Sequence, residues 1–343
     1  MIKPAKLKKG DVVGIISPSW GGPSVFPHIY ENGLKNLKVL GFEIKEFPTA
    51  RGDAKYQYQN PKVRAEDVNA AFADKEVKGI VTTIGGDDSV RILPFLDNET
   101  ISNNPKFFMG YSDTTILTTF LRSLGIVSFN GPSIMAGFSQ MESEGDSFKK
   151  HLEDFLFGDY DEYEYKPYEY YFNNYPDWKD VANTGKVSEP AETTGWQWLQ
   201  GNVTVEGELF GGNIEVLEFI KGTVYWFDKD FWNGKILFFE TSEDKPTVSQ
   251  IKFMLRNYGT QGIYDKIKAV LFGRARDYSE DEKKELDETL VNTIGIEFGK
   301  PELPIISNMD FGHTDPQIIL PLGVKAELNT TSKLFKLLES PFS

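Results

Sequence analysis

A chain of 343 residues, 40% hydrophobic and 14% aromatic, has the length for two domains and ample apolar side chain for sizeable cores. Its formal net charge of −14 excludes the basic stripe that a phosphate backbone needs, so no nucleic-acid partner is expected. The absence of cysteine excludes disulfides, thiolate metal sites and a cysteine nucleophile. No apolar run approaches the ~20 residues of a membrane span, and Val12–Ile16 behind the basic start is too short for a signal sequence, so a soluble cytoplasmic protein is expected.

In chain order, Val12–Ser17 reads as a strand closed by Ser17-Pro18-Ser19, and residues 29–40 as a helix stopped by Gly41. Phe42–Phe47 is a second strand, and Pro61–Ala73 a helix opened by its proline. Gly79–Ile84 has the unbroken hydrophobicity of a buried parallel strand; Gly85-Gly86-Asp87-Asp88 follows, then a helix through Leu96. Residues 106–110 form the next apolar strand, and Thr114–Leu124 an amphipathic helix. This βαβ rhythm predicts a parallel sheet covered on both faces, with ligands bound beyond the strand C-ends, where Gly85, Gly86 and Ser112 fall.

The composition changes near Phe155. Residues 159–180 are crowded with Tyr, Glu, Asp and Asn and show no helical period. The division expected is an α/β domain over 1–158, an aromatic, acidic linker and tryptophan loop over 159–202, and a β-rich domain over 203–343. Trp196 and Trp198, held between Gly195 and Gly201, are either an aromatic platform for a ring or packing residues, with packing the default. In the last third, strands end at Gly211-Gly212-Asn213, at Glu240 and at Gly273-Arg274-Ala275-Arg276. A further segment, Pro304–Asn308, leads into Gly312-His313.

Ser112 stands on the turn between a strand and a helix, where free N–H groups and a positive dipole end await an oxyanion, or where the serine merely caps the helix. Thr114 replaces the second glycine of the lipase-type elbow. Of three histidines, His28 and His151 read as surface residues, whereas His313 sits in a loop after a buried strand. Glu240 closes a fully apolar strand, where it could orient an imidazole or simply cap the next turn. No phosphate-loop motif and no metal-ligand spacing occur, so neither cofactor nor metal is expected.

Together Gly85-Gly86-Asp87, Gly110-Tyr111-Ser112-Asp113-Thr114-Thr115, Gly211-Gly212-Asn213, the strand ending on Glu240 and Gly312-His313 resemble the serine carboxypeptidase family of LD-carboxypeptidases and microcin C immunity proteins, peptidase family S66. The resemblance runs over nearly the whole chain. It implies a flavodoxin-like N-terminal domain with a parallel sheet, a mostly β C-terminal domain, and an active site at their interface. By position it implies Ser112 as nucleophile, His313 as base, Glu240 as its orienting partner, and the backbone N–H groups of Gly86 and Asp113 as oxyanion hole. The immunity branch cleaves the amide of aminoacyl-nucleotide-like antibiotics and stacks a tryptophan on the nucleobase; the other branch cuts the L–D bond of murein tetrapeptides. The aromatic insertion and Trp196/Trp198 resemble the first branch, with Gly85, Asn213 and Lys245 as further substrate contacts and Arg274 and Arg276 as weaker ones. The resemblance also implies a homodimer and a small-molecule aminoacyl-nucleotide or peptide substrate.

Overall fold

The computed structural model describes residues 1–343. Two sheets organise it. In the first, the strands Glu43–Glu46, Val12–Ile16, Val77–Thr82, Phe107–Gly110 and Ser128–Asn130 lie side by side in that order, all parallel. That is the flavodoxin-like order, and each crossover is long enough to place helical or turn structure over the sheet. The sixth strand, Leu320–Leu322, returns from the far end of the chain and pairs antiparallel with Ser128–Asn130. Apolar side chains fill both faces because the helices Pro27–Leu40, Pro61–Ala73 and Thr115–Ser123 cover them.

The second sheet has eight strands around a parallel centre: Thr204–Asn213, Lys235–Glu240, Ala269–Gly273 and Ile305–Met309. Antiparallel strands flank it, with Lys325–Asn329, Leu334–Leu337 and Tyr163–Glu164 on one side and Gln197–Gln200 on the other. This C-terminal region is sheet-rich, and Val248–Thr260 and Glu280–Leu290 supply helices between its parallel strands. Both helices start on a capping box, Thr247 with Gln250 and Ser279 with Glu282, so their first orphan N–H groups are satisfied by side chains. Eighty-three buried apolar residues form one continuous cluster through both sheets. The acidic, aromatic insertion adds a small ribbon, Tyr170–Phe172 against Pro190–Glu192.

One local expectation gives way. The stretch after Gly86 is a tight 3₁₀ run over Ser89–Phe95, since Pro94 removes a donor from any longer helix. The helix Glu280–Leu290 runs on as a wider π-type turn over Val291–Glu297.

The loop after Val77–Thr82 is fixed by buried charge. Arg64, fully buried on its helix, grips Asp88 with two nitrogens at 2.7 and 2.9 Å and also donates to the carbonyls of Pro18 and Ser19. Arg91 reaches the same carboxylate from a half-exposed position. Removing Arg64 strands a carboxylate that is nine-tenths buried. Arg64→Met is therefore expected to lower the free energy of urea unfolding by about 3 kcal/mol; unchanged stability would mean that Arg91 alone suffices.

Candidate functional site

The parallel centres of both sheets end at the same place. Ser112 follows the strand Phe107–Gly110, and its backbone is left-handed, with φ of 59°. Such a conformation costs a non-glycine residue about 1–3 kcal/mol and turns the side chain out of the strand–helix elbow. Gly85 makes room for it: a β-carbon there would lie 2.7 Å from Ser112 Cβ and 2.8 Å from its Oγ. Asp113, fully buried, holds the elbow to the neighbouring loop, accepting from Ser19 Oγ (2.5 Å) and from the amides of Asp88 and Ser89. The N–H groups of Gly86 and Asp113 donate to nothing in the chain.

From the second sheet, Glu240 ends its strand fully buried, and His313 stands in the loop after Ile305–Met309. His313 Nδ1 donates to Glu240 Oε2 at 2.7 Å, and His313 Nε2 lies 3.1 Å from Ser112 Oγ. Gly312, at φ of 100°, lets the backbone pass over the carboxylate, since a β-carbon there would be 2.6 Å from Glu240 Cβ. One residue more lies on the imidazole: Glu243 Oε2 is 3.0 Å from Nε2. Burial would depress the His313 pKa, but the charge and hydrogen bond of Glu240, joined by those of Glu243, outweigh it and push it up to about 10. The hydrogen bond to His313 in turn holds Glu243 down to about 2, against the opposing effect of burial.

A cleft of about 320 Å³ opens onto Ser112 and His313. One wall is aromatic. Trp178 stacks on Tyr175, with ring centroids 5.6 Å apart and planes 24° from parallel, and meets Phe26 edge-on. Tyr175 donates to Asp315, and His28 Nε2 donates to the Trp178 carbonyl at 2.9 Å. Arg276 is the one lysine or arginine lining the cleft, with its guanidinium 5.7 Å from the Tyr175 ring. Gly85, Gly86 and Trp20 complete this side.

Several expected contacts lie elsewhere. Trp196 is buried, its Nε1 donating to Asp310 at 2.7 Å and its ring edge-on to Phe335. Trp198 sits on the edge strand Gln197–Gln200 in register with Ile306, packed on the core. Arg274 is fully buried and bonded to Asp310 (2.7 Å) and Asn308, so its charge is already neutralised and does not face the cleft. Lys245 pairs with Glu282 at 3.0 Å, over the Tyr278 ring and outside the cleft. Asn213 is buried beside Glu240 in strand register and caps the helix Ile214–Glu218, while its Nδ2 has no partner. Neither remaining histidine is a bare surface residue. His28 is half-buried, and His151 is buried between Tyr163 OH and the Ile319 N–H, its pKa lowered by burial to about 4. Trp178, Tyr175 and Glu243 also line the cleft, and no motif singles them out. The crowding of aromatics around Pro176 was the sequence signal for the first two; nothing marked Glu243 among so many acids.

The chain is similar to known proteins over most of its length. A family model for the LD-carboxypeptidase N-terminal domain matches residues 13–131, and the model for the C-terminal domain of the same family matches residues 206–328. The microcin C7 self-immunity protein MccF of Escherichia coli is 28% identical over 350 residues, covering 99% of this chain and 96% of its own. A probable murein peptide carboxypeptidase of Bacillus subtilis is 29% identical, covering 96% of this chain and 92% of its own. Among solved structures, an MccF-like protein from Streptococcus pneumoniae in complex with AMP superposes with a TM-score of 0.85 at 28% identity, over 96% of this chain and 98% of that one.

The two tryptophan environments separate in a stability measurement. Trp196→Ala removes a buried ring and leaves Asp310 short of a donor, and is expected to destabilise by about 3 kcal/mol or more. Trp178→Ala, on the cleft wall and half-buried, is expected to cost about 1 kcal/mol. Equal losses in chemical denaturation would contradict this assignment.

Proposed function

Because the chain belongs to the LD-carboxypeptidase family and is thus a carboxypeptidase-type hydrolase, we propose that it hydrolyses the amide of small aminoacyl-nucleotide-like molecules through a serine nucleophile, protecting the cell that makes or meets them. Ser112 attacks the acyl carbon while His313 Nε2 takes its proton. Glu240 keeps Nδ1 protonated and stabilises the imidazolium that forms. The free N–H groups of Gly86 and Asp113 receive the oxyanion at the elbow. The proton then passes to the leaving nitrogen, the bond to it breaks, and water releases the acyl group from Ser112 by the same route in reverse.

The observation that carries the choice of substrate is the stacked Trp178–Tyr175 wall, with Arg276 beside it, facing the serine. A flat aromatic surface accepts a nucleobase, worth about 1–3 kcal/mol per base stacked, and the guanidinium suits the phosphate or sulfamoyl linker. The streptococcal relative binds AMP, which supports the same choice. The second reading, an LD-carboxypeptidase of murein tetrapeptides, draws support from the equally similar Bacillus protein.

Purified protein offered an aspartyl or glutamyl sulfamoyl adenosine and, separately, a murein tetrapeptide is expected to cleave the nucleoside compound. Cleavage of the tetrapeptide alone would replace the proposal with the second reading. Ser112→Ala should abolish turnover while keeping the fold. Glu240→Gln should lower kcat by about 10³–10⁴-fold, through loss of the orienting carboxylate. Trp178→Ala should raise KM for the nucleoside compound about 10-fold or more with little change in kcat, whereas a fall in kcat alone would remove the stacking role.

A further inference from the structure

Asp315 stands two residues past His313 and makes no hydrogen bond to it or to Ser112; the orienting carboxylate on His313 Nδ1 is Glu240. Yet Asp315 is buried and all its polar groups are engaged. Its N–H and C=O pair with the C=O and N–H of Phe172 at 3.1 and 2.6 Å, which clasps the aromatic insertion to the His313 loop. One carboxylate oxygen accepts from Gln317 Nε2 at 3.2 Å, and the other accepts from the Tyr175 hydroxyl. A buried carboxylate is costly, and Tyr175 is the one side chain outside its own loop that this one holds. Tyr175 is also the middle member of the cleft wall: Trp178 stacks on its ring, and the Arg276 guanidinium lies against it. Residues 173–180 carry no helix or strand, and side chains fasten them. Asn173 is tied to Asp277, next to Arg276, through hydrogen bonds of 2.7 and 2.9 Å. Trp178 is tied to His28 and Phe26, at the start of a helix that covers the first sheet. Between them, the Tyr175 hydroxyl has Asp315 alone.

We propose that Asp315 is the positioning residue of this wall: by accepting the Tyr175 hydroxyl from a point two residues past His313, it fixes the Tyr175–Trp178 stack relative to the catalytic imidazole and so sets the preference for substrates that carry a nucleobase. This rests on the nucleoside reading above. A stack helps the reaction only when the base it holds leaves the scissile carbonyl at Ser112, so the distance between wall and triad matters as much as the wall. Ordering the rings before substrate arrives also removes that cost from binding. Because His313 and Asp315 share one short stretch of chain, the wall takes its position from the imidazole and not from the irregular insertion that bears it. Asp315 touches neither substrate nor reacting atoms; it acts through Tyr175.

The test compares kcat/KM for aspartyl sulfamoyl adenosine with that for aspartyl sulfamoyl ribose, which has the same scissile amide and linker but no base. The parent should favour the adenosine compound about tenfold or more. Tyr175→Phe keeps the ring and loses only the hydroxyl; its preference should fall roughly threefold or more, through KM for the adenosine compound. Asp315→Ala should do the same, and Asp315→Asn, which still offers an oxygen to the hydroxyl, should restore most of the preference. Where Asp315→Ala fails to fold, Tyr175→Phe decides. An unaltered preference in Tyr175→Phe would overturn the proposal. So would equal losses on both compounds, the result of a general disturbance of the His313 loop. A parent that cleaves the two compounds equally well, or neither of them, would instead remove the nucleoside reading, a failure visible before any variant is made.

Discussion

The hydrogen bond between His313 and Ser112 is the contact on which the site depends, because its two ends belong to different sheets. The nucleophile is carried by a parallel sheet of flavodoxin order, and the imidazole with its carboxylate by the second sheet. A distance of 3.1 Å across that junction requires the sheets to hold their relative position within a fraction of an ångström. The continuous apolar cluster supplies the rigidity, and the strand Leu320–Leu322, which leaves the His313 loop to join the first sheet, ties the two together covalently.

Around this junction the chain buries more charge than a core normally accepts, and most of it is compensated by geometry. Asp113 collects three donors on one oxygen and fixes the loop that bears Gly85 and Gly86. Arg64 and Asp88 close the other side of that loop as a bidentate pair. Asp310 is satisfied by Arg274 and Trp196, an arrangement that backs the His313 loop from outside the cleft. Such networks contribute little net stability compared with apolar packing, but they allow few alternative arrangements, which suits a site whose members come from eight separate chain segments. The left-handed Ser112 is the counterpart in the backbone: an unfavourable conformation held by surroundings that leave it no other.

Much of this was legible in the residues. Unbroken apolar runs ending in Gly85, Ser112, Asn213 and Glu240 indicate parallel strands and their C-ends, since a strand buried on both faces shows its period only by lacking one. The partnership of Ser112, Glu240 and His313 followed from position at those ends and from the family resemblance, and the structure brings the three within hydrogen-bonding distance. The cleft wall was not legible in the same way. Trp196 and Trp198 took a stacking role only from the family resemblance, against a default of packing, and both pack: Trp196 lies just before the edge strand with its ring buried against Phe335, and Trp198, on the strand, is packed on the core. Trp178 lies in a segment with no periodicity, where only three-dimensional contacts with Tyr175, Phe26 and His28 give it a fixed place. Arg274 and Arg276 are separated by one residue and differ in everything that matters: the first turns inward to Asp310, the second lines the cleft. His151 resembled a surface residue because lysines and glutamates surround it in sequence, while the helix phase turns it inward to Phe155 and Tyr163.

The most direct test of the account is to catch the acyl group on the serine. Enzyme quenched in acid during turnover of an aspartyl sulfamoyl adenosine, digested and mapped by mass spectrometry, should carry the mass of the aspartyl group on the peptide containing Ser112. The adduct should vanish in His313→Ala. An aspartyl adduct on any other residue would contradict the assignment of the nucleophile. Turnover that leaves no adduct at any quench time, even when an added amine nucleophile fails to divert the product, would contradict covalent catalysis by this site.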